Sequence, residues 1–269
     1  MSHSPIHQRE ADFHDQWARS LPPEKIPIRE VFELPTAMEN RFILRQMGDL
    51  GGRSLLDIGA GLGESAVYFA LGGARVTATD LSTEMVRCAT ELARHHGTQI
   101  EGIVSPAESL GVPDGQFDMV YIANTIHHVA DRRRLFEQIH RALKPGGRFF
   151  SIDPLAYNPV INVYRHMATQ VRTEDEAPLT FADVSLAREF FPDTRHREFW
   201  IASLSLFLKY YLIDRVHPNT DRYWKRIFTE SKSSLWWWYP LRTADRVLTR
   251  LPLVRRMAWN IVMWGRKSG

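Results

Sequence analysis

Apolar positions along the chain fall into two alternating kinds of stretch. Short continuous runs at residues 55–58, 74–80, 100–104, 117–121 and 148–153 read as strands buried on both faces. Between them the apolar spacing changes to the helical period. Ala66, Phe69 and Ala70 mark a helix over 64–71; Met85, Cys88 and Leu92 mark one over 81–95; Leu135, Phe136, Ile139 and Leu143 mark one over 132–143. Glycine pairs stop the first and last of these helices, Gly72-Gly73 and Gly146-Gly147. Five strand and helix units in alternation predict a parallel sheet with helices on both faces, with ligands at the carboxyl ends of its strands.

Upstream, Phe13, Trp17 and Leu21 are spaced as on a short amphipathic helix over 9–20, and residues 35–47 read as a helix leading into the first strand. Beyond Asp153 the composition shifts to Trp, Tyr, Phe and Arg. Helices are predicted over 160–171 and 181–191, the second with Thr180 and Asp183 as a capping box. Between them lies a polar turn with Glu174, Asp175 and Glu176, for which a solvated loop is weighed against a hold on a cationic or hydroxylated substrate. Residues 197–207 and 258–267 are taken as a closing hairpin, with 208–257 inserted inside it. So long an insertion requires structure of its own.

The first strand ends in Asp57-Ile58-Gly59-Ala60-Gly61-Leu62-Gly63-Glu64. Three glycines between a strand and a helix allow positive φ and close approach of a ligand to the backbone. A dinucleotide fingerprint requires its third glycine one residue later, where this chain has Glu64, and an acid there opposes a pyrophosphate. This argues against a dehydrogenase. The second strand ends in Asp80, a carboxylate suited to accept from ribose hydroxyls. The expected ligand is a nucleoside without a pyrophosphate.

With Phe117-Asp118-Met119-Val120-Tyr121, Ile126-His127-His128-Val129 and Leu143-Lys144-Pro145-Gly146-Gly147 following in order, residues 40–153 resemble the class I S-adenosylmethionine (SAM)-dependent methyltransferases, in tone the ubiquinone and menaquinone methyltransferase group. The resemblance implies an α/β, Rossmann-like, seven-stranded, mostly parallel sheet with helices on both faces, plus a helical C-terminal insertion. It implies SAM as cofactor, held by Asp57, Gly59, Ala60, Gly61, Gly63, Asp80, Leu81, Met85, Ala107, Glu108 and Asn124. Leu81 and Met85 would flank the adenine. Pro106 stands where many relatives place an acceptor for the adenine amino group, which leaves that contact to Ser105, the Ala107 backbone or Glu108. An N-terminal segment folding over the site is implied as well.

The organisation expected is 1–47 as an N-terminal helical segment, 48–153 as the SAM-binding core, 154–207 as a helical cap and sixth strand, 208–257 as an aromatic and basic insertion, and 258–269 as the terminal strand. The single Cys88 excludes a disulfide framework and suits a reducing cytoplasm. The first ten residues lack a signal peptide's apolar core, and no run is long enough to span a bilayer. Net charge is +3, yet residues 241–269 alone carry +6. Arg242, Arg246 and Arg250 repeat opposite Leu241, Ala244, Leu248 and Leu251, close to Trp236, Trp237 and Trp238. That pattern fits a peripheral membrane contact; a helical subdomain packed on the sheet or on a second copy of the chain is the competing reading. Nucleic acid is not expected, for no binding motif accompanies the basic residues.

Methyl transfer to a hydroxyl, phenol or protonated amine requires a base. His127 and His128 follow the fourth strand and so belong at the rim of the cleft. The resemblance assigns the base to His128, with His127 second and no metal. The function expected is methylation of a small, hydrophobic or lipid-like acceptor at O or N, with C as the further option. The alternative is a SAM-binding scaffold or partner subunit without catalysis.

Overall fold

A computed structural model describes residues 9–12, 15, 25–168, 176–219, 223, 226–227 and 231–269, with 231–237 as helical backbone alone. Seven strands form one sheet in the order β3-β2-β1-β4-β5-β7-β6: β1 (Ser54–Ile58), β2 (Arg75–Asp80), β3 (Glu101–Val104), β4 (Phe117–Ala123), β5 (Leu143–Pro154), β6 (Arg195–Phe199) and β7 (Asn260–Arg266). The first five pair in parallel, and β7 runs antiparallel to both neighbours.

The continuous apolar runs arise because alternate residues of the central strands serve different cores. Leu55, Met119, Tyr121, Phe150 and Val262 enter one core with Phe42, Ile43 and Phe69. Leu56, Val120, Ile122, Phe149 and Met263 enter the other with Leu135, Phe136 and Ile139. The helices that supply these partners are α1 (Arg29–Glu33), α2 (Met38–Met47), α3 (Glu64–Leu71), α4 (Thr83–His95) and α5 (Arg132–Ala142), followed by α6 (Pro159–Met167) and α7 (Phe181–Phe190). Thr180 and Asp183 form the capping box of α7, with Thr180 N donating to Asp183 Oδ2 at 2.7 Å.

The sixth strand is shorter than the run 197–207 suggests. It stops at Phe199, where Trp200 takes φ +69°, and the chain then turns through a short 3-10 stretch, Ala202–Leu204, into α8 (Ser205–Leu212). The cause lies 44 residues away in sequence. Asp245 accepts the backbone N–H groups of Ile201 and Ala202, at 3.1 and 2.6 Å, and the Ser203 hydroxyl. Asp245 belongs to α9 (Ser231–Leu248), so the insertion itself ends the strand. Trp238 of α9 is fully buried and its ring lies 4.9 Å from that of Trp200, while Leu241 packs on the same core. The Trp238 side of α9 is therefore a packing face. Phe13, His14, Trp17, Leu21, Glu174, Asp175 and the side chains of Trp236 and Trp237 lie outside the described residues.

Candidate active site

The glycine turn sits where β1 meets α3. Gly59, Gly61 and Gly63 have φ +68°, +55° and +94°, and two of them are fixed by close packing. A Cβ on Gly59 would overlap the Thr125 hydroxyl, and one on Gly63 would come within 2.7 Å of Ala89. Gly61 differs: a Cβ there would meet nothing within 4 Å, so the space over it is open. Ala60 is buried, and its N–H and that of Gly59 both bond to Thr79 O, at 3.0 and 2.8 Å.

Asp80 Oδ2 accepts from Gly61 N at 3.0 Å and its Oδ1 from Ser82 N at 2.9 Å. The ends of β1 and β2 thus converge on one carboxylate, which accepts hydroxyl donors and repels phosphate. Glu64 in the first turn of α3 adds to that repulsion, at the helix end where a phosphate would otherwise settle. An open glycine cradle beside a carboxylate fits a nucleoside with free hydroxyls.

Asp57 is buried and accepts from Ser65 Oγ at 2.5 Å. Burial lifts its pKa to about 7 against the pull of that bond, with Glu64 and Asp80 adding to the rise. Leu81 is partly exposed beside the cradle. Met85 is wholly enclosed among Leu62, Val67, Cys88 and Leu92, which gives it to the core instead of the ligand surface. Ala107 and Glu108 are partly buried after β3. The buried Ser105 hydroxyl has no hydrogen-bond partner among the described residues. Asn124, exposed at the end of β4, takes φ +52° with its N–H on Ile152 O. Asn is among the few residues that tolerate this conformation.

His127 and His128 lie in the short 3-10 turn Ile126–His128 after β4, their rings 4.2 Å apart. His127 Nδ1 is 2.8 Å from Asp153 Oδ1, and the same oxygen accepts the His127 N–H at 3.2 Å. Burial raises the Asp153 carboxyl to about 8 despite that bond and the nearby His128 and Arg132. His128 Nδ1 stands 3.3 Å from Glu10 Oε2. Burial depresses the His128 pKa, but Glu10, followed by Glu176 and Asp153, outweighs it, so the net shift is upward. His128 borders a cleft of about 450 Å³, shared with Arg132, Ala177 and Leu186. Donor atoms of His127, His128 and Glu176 lie within 4.8 Å of one another, near enough for one cation. Each imidazole nevertheless faces a carboxylate through Nδ1, an arrangement suited to proton handling.

Glu10 and Asp153 are the partners that the motifs alone did not mark. Asp153 ends an apolar strand next to the histidine turn, as Asp57 and Asp80 end theirs. Glu10 carries no local signal; it reaches the site because the helical residues 9–12 cross it. Asp15 also meets the site region, accepting from Ser82 Oγ.

Residues 56–151 match the family described as Methyltransferase domain. The uncharacterized methyltransferase YcgJ of Bacillus subtilis is 32% identical over 120 residues, 44% of this chain and 47% of its own. Phosphoethanolamine N-methyltransferase 2 of Caenorhabditis elegans is 35% identical over 113 residues, 41% of this chain and 26% of its own. A ubiquinone/menaquinone biosynthesis C-methyltransferase of Acidiphilium cryptum is 37% identical over 105 residues, 38% and 42% of the two chains. This chain thus spans less than half the length of each of these curated relatives. The crystal structure of YcgJ superposes with a TM-score of 0.55 at 18% identity, covering 87% of this chain and 99% of that one.

Proposed function

On the premise that residues 56–151 form a class I SAM-dependent methyltransferase domain, we propose that the protein transfers the methyl group of SAM to an oxygen or nitrogen of a small, largely apolar acceptor, with His128 as the base. Gly59, Ala60, Gly61 and Gly63 would cradle the cofactor, Asp80 would accept from its ribose, and Leu81, Ser105 and Glu108 would border its adenine. When bound, SAM supplies an activated methyl group that transfers by in-line displacement. What remains for the chain is to align the acceptor, exclude water and remove a proton.

The observation that carries this reading is the pair of imidazole–carboxylate contacts at the end of β4, His127 with Asp153 and His128 with Glu10. His127 is held by two hydrogen-bond contacts to Asp153 Oδ1, one from its backbone N–H and one through Nδ1. His128, which borders the cleft, would take the acceptor's proton while Glu10 balances the imidazolium. Glu10 also brings the N-terminal helical residues over the site, which supports a closed, water-poor chamber. An apolar acceptor is favoured by the aromatic composition of the chain beyond Asp153; the rings of Tyr164, Phe207 and Tyr223 there pack together as part of the core, with centroids 5.2–5.4 Å apart. The relatives include both N- and C-methylating enzymes, so their shared stretch bears on cofactor handling more than on the acceptor.

The test is transfer of labelled methyl from SAM to panels of apolar phenols, alcohols and amines. Label should appear on oxygen or nitrogen, and His128→Ala should lower turnover by about a hundredfold or more while leaving cofactor affinity intact. Label on carbon, or a His128→Ala enzyme as fast as wild type, contradicts the base assignment. Cofactor binding without transfer to any acceptor points to a SAM-binding partner subunit.

A further inference from the structure

Edge strand β6 lies three strands from β4, roughly 14 Å at ordinary strand spacing, and carries a cleft of different character from the methyl-transfer site. Arg41 and Arg45 of α2, Arg197 of β6, and Arg242 and Arg246 of α9 all line it. Two acids share the wall, and both are engaged. Glu198 faces His196 Nδ1 at 2.5 Å, and Asp245 accepts the backbone at the end of β6. Among the described residues no carboxylate forms an ion pair with any of the five arginines.

Five like charges from three separate elements repel one another across this cleft. Arg197 is held below the usual guanidinium range by burial and then by Arg45, Arg246 and Arg250, against a smaller upward pull from Glu198; Arg242 is lowered by burial and then by Arg246 and Arg41. The geometry is nonetheless fixed in part beforehand. The Arg197 guanidinium lies over the Phe42 and Phe199 rings, 5.0 and 5.3 Å from their centroids, and Arg41 donates to Glu33 O at 2.7 Å. Planar guanidinium forks match phosphoryl oxygens in pairs, and a single carboxylate would leave most of this charge unmatched.

We propose that the arginine cleft between α2, β6 and α9 is a binding site for phosphoryl anions, separate from the methyl-transfer site. Its ligand is a compact free phosphate compound or the phosphoryl headgroup of an anionic bilayer. The second source is included because the same end of the insertion exposes Val247, Leu251 and Leu253 beside the basic groups, so that headgroup and acyl boundary could be met together. The peripheral membrane contact expected from the sequence would then rest on this cleft and these residues. The Trp238 side of α9, being packed inward, has no part in it.

The test uses the whole protein at low salt, with two arms. Sodium pyrophosphate is titrated in by calorimetry, and sedimentation is measured with phosphatidylcholine vesicles, with and without phosphatidylglycerol. Saturable binding in the pyrophosphate arm identifies a free phosphate ligand, and binding confined to phosphatidylglycerol vesicles identifies the headgroup. In either case Arg242→Glu with Arg246→Glu should weaken binding by about tenfold or more, whereas Arg75→Glu with Arg94→Glu, an equal change of net charge elsewhere, should stay within about twofold. Should the double reversal fail to fold, Arg246→Gln, at an exposed position, should still weaken binding by about threefold. No saturable binding in either arm, or equal losses in cleft and control variants, overturns the proposal. Because the readout is anion binding, its failure leaves the methyl-transfer reading untouched, and the reverse holds too.

Discussion

At the scale of single residues, the site is read through its carboxylates. Asp57 and Asp80 were legible from sequence because each ends an apolar run at a strand's carboxyl end. Glu10 was not, since its role depends on a long-range contact with His128 that no local pattern encodes. That contact makes a prediction with a definite sign. The proposed base, His128, would act only when neutral, so turnover should rise as pH climbs through its pKa. With Glu10 in place that pKa is raised, because the carboxylate, with help from Glu176 and Asp153, outweighs burial. In Glu10→Gln much of the opposing attraction is gone, burial counts for more, and the pKa falls. The acid limb of kcat should therefore move to lower pH in Glu10→Gln, as measured by a pH–rate profile across the neutral range. An unmoved limb would mean that Glu10 does not tune the base. Met85 teaches the converse lesson: its place in the motif implied an adenine contact, yet its helix turns it into the packing between α3 and α4.

At the scale of elements, the strand–turn–helix of the glycine loop was predictable because strong local rules agree there. The apolar run, the glycines and the helical period all point to one geometry. The loop's glycines still divide by task. Gly61→Ala meets no atom and should cost about 1–2 kcal/mol for its positive φ, while weakening cofactor binding by about tenfold or more through the filled cradle. Gly63→Ala should cost about 1–3 kcal/mol more, because its Cβ would drive into Ala89 and separate α3 from α4. Thermal melts and cofactor titrations on the two variants check this. A Gly61→Ala protein that binds like wild type would remove the loop from the site. The end of β6 could not be foreseen, because apolar residues continue past Phe199 and the group that stops the strand, Asp245, arrives from another element.

At the scale of the whole molecule, the sheet order and its single antiparallel strand agree with the expected seven-stranded α/β architecture. Among the described residues no helix is long and apolar enough to cross a membrane. The basic character of the last thirty or so residues was visible in the sequence as a charge imbalance. Its meeting with Arg41, Arg45 and Arg197 was not, because those side chains are assembled from α2 and β6 only by the fold. The open cradle over Gly61 and the Asp80 carboxylate together form a proposed site for a nucleoside without a pyrophosphate. It is tested most directly by calorimetric titration of the protein with S-adenosylhomocysteine and, separately, with NAD. Saturable one-to-one binding of S-adenosylhomocysteine, strongly weakened in Asp80→Ala, and no binding of NAD is the predicted result. Binding of NAD, or no heat with S-adenosylhomocysteine, would contradict it.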